Sequence, residues 1–202
     1  MKFVSACLLG LLFVFPSMAE AGQLGAIAGL GCTLDNPPRL TNEYSDFETW
    51  LGRPLERLHA YMASSPKDWR QFHGSAAIVL GCRALYAPQG KKFTLSVPML
   101  VAGATLAEGA AGQYDDHFKQ LGEELVARGF SDASLRIGWE FNGGWYFWAA
   151  RKDPTNWVAY FRRIVQVLKA TPGSHFTIDW CPNYGHQEIA PDQVYPGDDV
   201  VD

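Results

Sequence analysis

Leu135-Arg136-Ile137-Gly138-Trp139-Glu140-Phe141-Asn142-Gly143-Gly144-Trp145-Tyr146-Phe147-Trp148 is the stretch on which the fold turns. Its first half reads as a strand. Successive strand side chains point to opposite faces, so Leu135, Ile137 and Trp139 are expected on one side and Arg136, Gly138 and Glu140 on the other. Its second half reads as a loop, because Asn142, Gly143 and Gly144 accept turn geometries at little cost. Four consecutive aromatic residues close it.

Working outward, the same rhythm of strand and helix recurs. Downstream, Asp153 offers an N-cap and Pro154 a first helical position, and Trp157, Phe161, Ile164 and Leu168 fall on one helical face. Thr171-Pro172-Gly173 ends that helix. A fifth strand is expected over 175–181, and Val200-Val201 reads as the opening of a sixth. Upstream, 113–128 reads as a helix through Phe118, Leu121 and Leu125, stopped by Gly129, and 93–99 reads as a third strand. The segment 75–86 fits helix or strand equally by periodicity. Ser65-Pro66 offers a helix start, with Trp69 and Phe72 on one face. A second strand is expected over 55–61. Ser45-Asp46-Phe47-Glu48 has the form of a capping box, opening a short helix with Phe47, Trp50 and Leu51 on its apolar side and Gly52 at its end. A Gly-rich apolar run at 24–30 reads as the first strand.

Strands alternating with helices at this spacing indicate a parallel sheet of βα units. The fold expected is α/β, a (β/α)8 TIM barrel, with an open doubly wound sheet as the alternative. No glycine fingerprint of the dinucleotide-binding kind follows the first strand. Five strands and the start of a sixth do not close an eight-stranded barrel. The 202 residues are therefore expected to be a barrel truncated after about five and a half βα units, a fragment of a longer product. A complete, non-catalytic protein with its sheet edge otherwise covered is the other reading.

The N-terminus reads as an address label. Lys2 precedes an apolar run from Val4 to Phe15, and Ala19-Glu20-Ala21 fits a cleavage site, so 1–21 is expected to be a signal peptide and 22–202 a single domain. The run is too short for a membrane anchor and Pro16 follows it. A secreted or periplasmic protein with no membrane attachment after cleavage is expected. The net charge of −4, with no basic cluster, argues against nucleic acid as a partner. Cys32, Cys82 and Cys181 remain after cleavage. They permit one disulfide and one free thiol, a partner outside the chain, or three isolated buried cysteines. Neither their spacing nor that of the histidines at 59, 73, 117, 175 and 186 matches a metal motif. No metal or cofactor is expected.

A lone carboxylate at a strand exit, followed by an aromatic loop, suits a sugar-cleaving site. The acid can protonate a glycosidic oxygen, and flat rings can cover the apolar faces of a sugar. The stretch 136–148 resembles the acid/base segment of glycoside hydrolase family 26. Ser96-Val97-Pro98-Met99-Leu100 and Tyr195-Pro196-Gly197-Asp198-Asp199-Val200-Val201-Asp202 are similar to the same family in the same order. The resemblance covers roughly 24–202. It implies a (β/α)8 barrel and a retaining mechanism using two glutamates. The acid/base corresponds to Glu140, and Trp145, five residues later, is implied to lie beside a sugar subsite. The nucleophile belongs to a seventh strand, beyond residue 202. The family commonly has histidine before the acid/base, where this chain has Trp139, so the usual mannan specificity does not carry over directly.

The residues therefore point to a retaining glycoside hydrolase acting on a β-linked plant or algal polysaccharide. An endo-β-1,4-mannanase-like activity is expected, with β-1,3-xylanase or mixed-linkage glucanase activity as alternatives. A carbohydrate-binding barrel without turnover is the reading from another class, and an exported α/β domain whose aromatics are all core is the third. Glu140 is the candidate catalytic residue, expected in a partly desolvated pocket. Trp145, Tyr146, Trp148, Asn142 and Asn183 are candidate substrate-binding residues. Asp179, on the neighbouring strand, is expected to pair with Arg136, and Asp198 and Asp199 to shape the entry to the sixth strand. The expected partner is a polysaccharide or oligosaccharide substrate, and the chain is expected to be monomeric.

Overall fold

The structure, a computed structural model, describes residues 25–26, 32 and 39–202. The expected signal peptide lies outside the described residues, as does the expected first strand apart from Gly25–Ala26. Within them the chain is mixed α/β. Strands β1 (Gly25–Ala26), β2 (Arg57–Tyr61), β3 (Lys92–Val97), β4 (Ser134–Ile137) and β5 (Thr177–Asp179) form one parallel sheet in the order β1-β2-β3-β4-β5. A doubly wound sheet needs a reversal of strand order at a switch point. Among the described strands this order has none, which is the succession a barrel sector shows.

Helices α1 (Glu43–Leu51), α2 (Trp69–Ala84), α3 (Leu106–Ala110), α4 (Asp115–Ala127) and α5 (Pro154–Lys169) fill the connections. The core follows the period-2 alternation of the strands. Leu58, Ala60, Leu95, Val97, Leu135, Ile137 and Ile178 are buried. All but Leu58 pack with Phe72, Ala76 and Leu80 of α2, Phe118, Leu121 and Leu125 of α4, and Trp157, Phe161, Ile164 and Leu168 of α5. Leu58 joins a smaller cluster with Tyr44 of α1, Leu55 and Tyr86. The alternate positions, Arg57, His59, Ser96, Arg136 and Asp179, carry polar side chains. The sheet thus has one apolar face under helices and one polar face.

Helix α5 forms as its sequence dictates. Asp153 accepts from the Asn156 N–H, Pro154 occupies the first turn, and the four expected residues are buried. Helix α2 resolves the ambiguous segment as helix over 75–84, with Leu85 as its C-cap and Tyr86 in the turn that follows. Its start differs from expectation: Asp68, accepting from the Gln71 N–H, is the N-cap, and Ser65-Pro66 lies outside. The capping box expected at Ser45 does not form either. Helix α1 begins at Glu43 behind Asn42, and Ser45 donates to the Asn42 carbonyl at 3.0 Å. Glu48 instead takes the Leu55 N–H at 2.7 Å and pairs with Lys91, so its carboxylate is spent on tertiary contacts. A capping box does appear at Thr105–Glu108, opening α3. Trp50, expected on the apolar side of α1, is 78% exposed.

Val200-Val201 forms no strand. The chain there only approaches β5, where the Asp202 N–H donates to the Ile178 carbonyl at 3.1 Å and the Asp202 carboxylate accepts from the Ile178 N–H at 2.9 Å. Asp199 is taken by Arg162 and Asp198 by the Tyr195 hydroxyl. Cys32 and Cys82 form a disulfide, tying the N-terminal segment to α2, and Cys181 is a free thiol. Among the described residues no helix is long and apolar enough to cross a membrane.

Candidate active site at the end of strand four

Strand β4 stops at Ile137, three residues earlier than the alternation pattern suggests. Gly138 takes φ 56°, and its N–H donates to the Val97 carbonyl at 2.9 Å. A β-carbon at Gly138 would overlap the Met99 side chain, so only glycine fits this turn. The alternation consequently does not extend to Trp139 and Glu140. Trp139 is buried, with its ring against Tyr61 at 5.2 Å and its indole N–H donated to the Tyr146 hydroxyl at 3.0 Å.

Glu140 adopts φ 52°, the one positive-φ non-glycine among the described residues. A side chain in this left-handed region is strained by about 1–3 kcal/mol, and such strain concentrates at functional sites. The surrounding bonds hold it there. The Glu140 N–H donates to the Cys181 carbonyl at 2.7 Å, and the Glu140 carbonyl accepts from the Gly143 N–H at 3.0 Å. On the side chain, Oε2 accepts from the Trp145 indole N–H at 3.1 Å. Trp145 is 49% exposed, so its ring is open to a ligand while its nitrogen orients the acid.

The other candidates separate by burial. Trp148 is 0% exposed, donates its indole N–H to the Trp139 carbonyl at 3.0 Å and stacks on Tyr146 at 4.5 Å. It has no surface to offer a sugar and is a core residue, a correction to its expected binding role. Asn142 is also 0% exposed, and its amide is spent on the chain. It donates to the Asn183 carbonyl at 2.9 Å and accepts from the Asn183 N–H at 2.6 Å. Asn183 directs its own amide to the His186 carbonyl at 2.9 Å. These two asparagines clamp the loop after β4 to the loop after β5. Tyr146 is half-buried, and burial pushes its hydroxyl pKa up.

Beneath the loop, the polar face of the sheet carries a linked set of groups. Arg136 pairs with Asp179 at 2.6 Å, as their neighbouring strands suggest. His59 and Ser96 share a hydrogen bond at 2.8 Å. Burial, and then the Arg136 guanidinium, hold the His59 pKa down to about 4, so the imidazole is neutral at ordinary pH. Burial opposes the charged form of Arg136 most strongly, but the Asp179 hydrogen bond and the Asp179 charge together outweigh it and raise the pKa. Burial pushes the Cys181 thiol up.

Three residues escaped the sequence reading. Tyr61, 39% exposed at the end of β2, stands at the other end of a run of aromatic contacts that passes through Trp139 and Tyr146 to Trp145. Its place was available from the alternation of Arg57, His59 and Tyr61. Glu188 and Arg151 form an ion pair beside the aromatic loop, and no local pattern marks either. Among the described residues no group of three or more His, Cys, Asp or Glu is arranged to hold a metal ion. No protein-family model matches the chain, and no curated protein matches it.

Proposed function

We propose that this chain is the acid/base-bearing part of a retaining glycoside hydrolase of the family 26 kind, acting on a β-linked polysaccharide. The observation that carries the reading is Glu140. It is a carboxylic acid held in a strained left-handed conformation beyond a parallel strand, with its Oε2 engaged by an exposed tryptophan. In (β/α)8 enzymes the reacting residues lie at the C-terminal ends of the strands. A sequential parallel sheet with its helices on the apolar face is compatible with a sector of such a barrel.

The mechanism follows from which oxygen is free. The Trp145 N–H occupies Oε2, so Oε1 carries the proton that is delivered to the glycosidic oxygen. Once deprotonated, the same carboxylate takes a proton from the water that hydrolyses the glycosyl-enzyme. The nucleophile that a retaining mechanism needs at about 5–5.5 Å is the second glutamate of the family pattern. Trp145 supplies the platform on which the sugar ring rests. The Cys32–Cys82 disulfide suits an oxidising compartment and so supports export.

The test uses the gene's whole open reading frame and its Glu140→Ala variant, assayed for reducing sugar released from mannan, β-1,3-xylan and mixed-linkage glucan. Loss of about 10²–10⁴-fold on one substrate, with folding unchanged, is the expected result and names the polysaccharide. Equal activity in both proteins removes Glu140 from the mechanism. Binding without turnover in either protein favours the carbohydrate-binding reading instead.

A further inference from the structure

Glu188 reaches the aromatic loop from the segment that follows β5. Its backbone N–H donates to the Asn142 carbonyl at 2.7 Å, next to the Asn142–Asn183 clamp. Its carboxylate lies directly over Gly144, where a β-carbon would overlap it. The preceding glycine, Gly143, is covered in the same way by the Trp145 ring. Adjacent glycines of one loop thus carry the indole and the carboxylate. Arg151 pairs with Glu188 and is half exposed, and His186 Nε2 stands 3.9 Å from the carboxylate.

We propose that Arg151 and Glu188 form a polar subsite at the edge of Trp145 that reads the hydroxyls of a sugar ring stacked there. The proposal rests on the glycosidase reading and assigns a specificity role within it. A carboxylate only accepts hydrogen bonds and a guanidinium only donates them. Side by side they match a pair of neighbouring sugar hydroxyls, one donating to Glu188 and the next accepting from Arg151. The orientation of those hydroxyls differs between sugars, so the pair discriminates among polysaccharides that Trp145 alone accepts equally. Tying the loops together does not account for the pair. Exposed ion pairs contribute little to stability, and the asparagine clamp already joins the two loops.

The experiment is affinity electrophoresis of the protein encoded by the whole open reading frame through gels containing mannan, β-1,3-xylan or mixed-linkage glucan, with melting temperatures measured in parallel. Wild type is compared with Glu188→Gln, Arg151→Gln and Trp145→Ala. Trp145→Ala is expected to lose retardation on every gel. Glu188→Gln and Arg151→Gln are expected to weaken binding to the preferred polysaccharide about tenfold and to level the preference, with the melting temperature unchanged. Arg151→Gln carries the test if Glu188→Gln does not fold. Unaltered affinity and ranking in both, with binding lost in Trp145→Ala, overturns the subsite alone. Wild type bound by none of the three overturns the subsite and the glycosidase reading together.

Discussion

The Trp145 indole nitrogen lies 3.1 Å from Glu140 Oε2, so one side chain both faces solvent and orients the acid. Two roles in one residue are separable by substitution. Phenylalanine at 145 keeps an aromatic face but has no N–H to donate. A hydrogen bond to a charged group is worth about 1.5–3 kcal/mol. Trp145→Phe is expected to lower kcat by roughly 10–100-fold with little change in KM, whereas Trp145→Ala raises KM as well. Steady-state kinetics on the preferred polysaccharide check this. Equal kcat in Trp145→Phe and wild type would show that the nitrogen does not position Glu140.

The left-handed backbone at Glu140 gives a second separation, between stability and function. Glycine at φ 52° carries no β-carbon penalty, while alanine carries the same penalty as glutamate. Glu140→Gly is therefore expected to be more stable than Glu140→Ala by about 1 kcal/mol, although both abolish the acid. Urea unfolding of the two variants measures the difference. An alanine variant equal to or more stable than glycine would mean that the backbone there is not strained.

Most of the fold was legible wherever a local pattern met no competitor. The buried stripe of α5 and its Asp153-Pro154 start were readable because cap, proline and period agree. Ser45 and Ser65 misled because an N-cap serine is only a local option, and Asn42 and Asp68 took the positions instead. Glu48 went to Lys91 and Leu55, partners that no local window contains. In the site, Glu140 stood out as a lone acid at a strand exit, and the family resemblance implied Trp145; the structure brings the two into a hydrogen bond. Trp148 was not separable from Trp145 by sequence, since both sit in one aromatic run and only three-dimensional packing buries one of them. Glu188 was hidden for a similar reason: its role depends on which glycine it covers, 44 residues away on another loop.

Three histidines make stability depend on pH in one direction. Burial holds the pKa values of His73, His117 and His59 below the ordinary value near 6.5, with His59 at about 4. His73 Nε2 and His117 Nδ1 share a hydrogen bond at 3.1 Å, and His117 stacks on Trp69 at 4.2 Å. Protonating both rings replaces that bond with repulsion. A depressed histidine pKa means that the unfolded chain binds protons first as pH falls. The histidine contribution is therefore intact above about pH 6.5 and lost as pH drops through the folded-state values, for His59 down to about 4. Urea midpoints between pH 7.5 and 4 should fall for wild type. They should fall less steeply for His73→Gln/His117→Phe, which keeps an aromatic ring on Trp69. An unchanged slope in that variant would remove the pair from the pH response.

The sharpest contrast the loop offers is between its two tryptophans. Trp148 is 0% exposed, packed against Trp139 at 4.8 Å and Tyr146 at 4.5 Å, with its nitrogen bonded to the Trp139 carbonyl. Truncating a buried tryptophan to alanine removes its transfer energy and leaves a cavity, about 3–5 kcal/mol in all. Trp145 is half exposed and its truncation leaves no cavity, so the loss is confined to its Glu140 hydrogen bond and its contact over Gly143, about 1–2 kcal/mol. Trp148→Ala should thus lower the denaturation midpoint sharply, and any lost binding should track the unfolded fraction. Trp145→Ala should lower the midpoint far less than Trp148→Ala and lose binding outright. Should the two variants unfold alike, the division of this aromatic run into one core residue and one platform would be wrong, and the reading of Trp145 as a sugar surface would go with it.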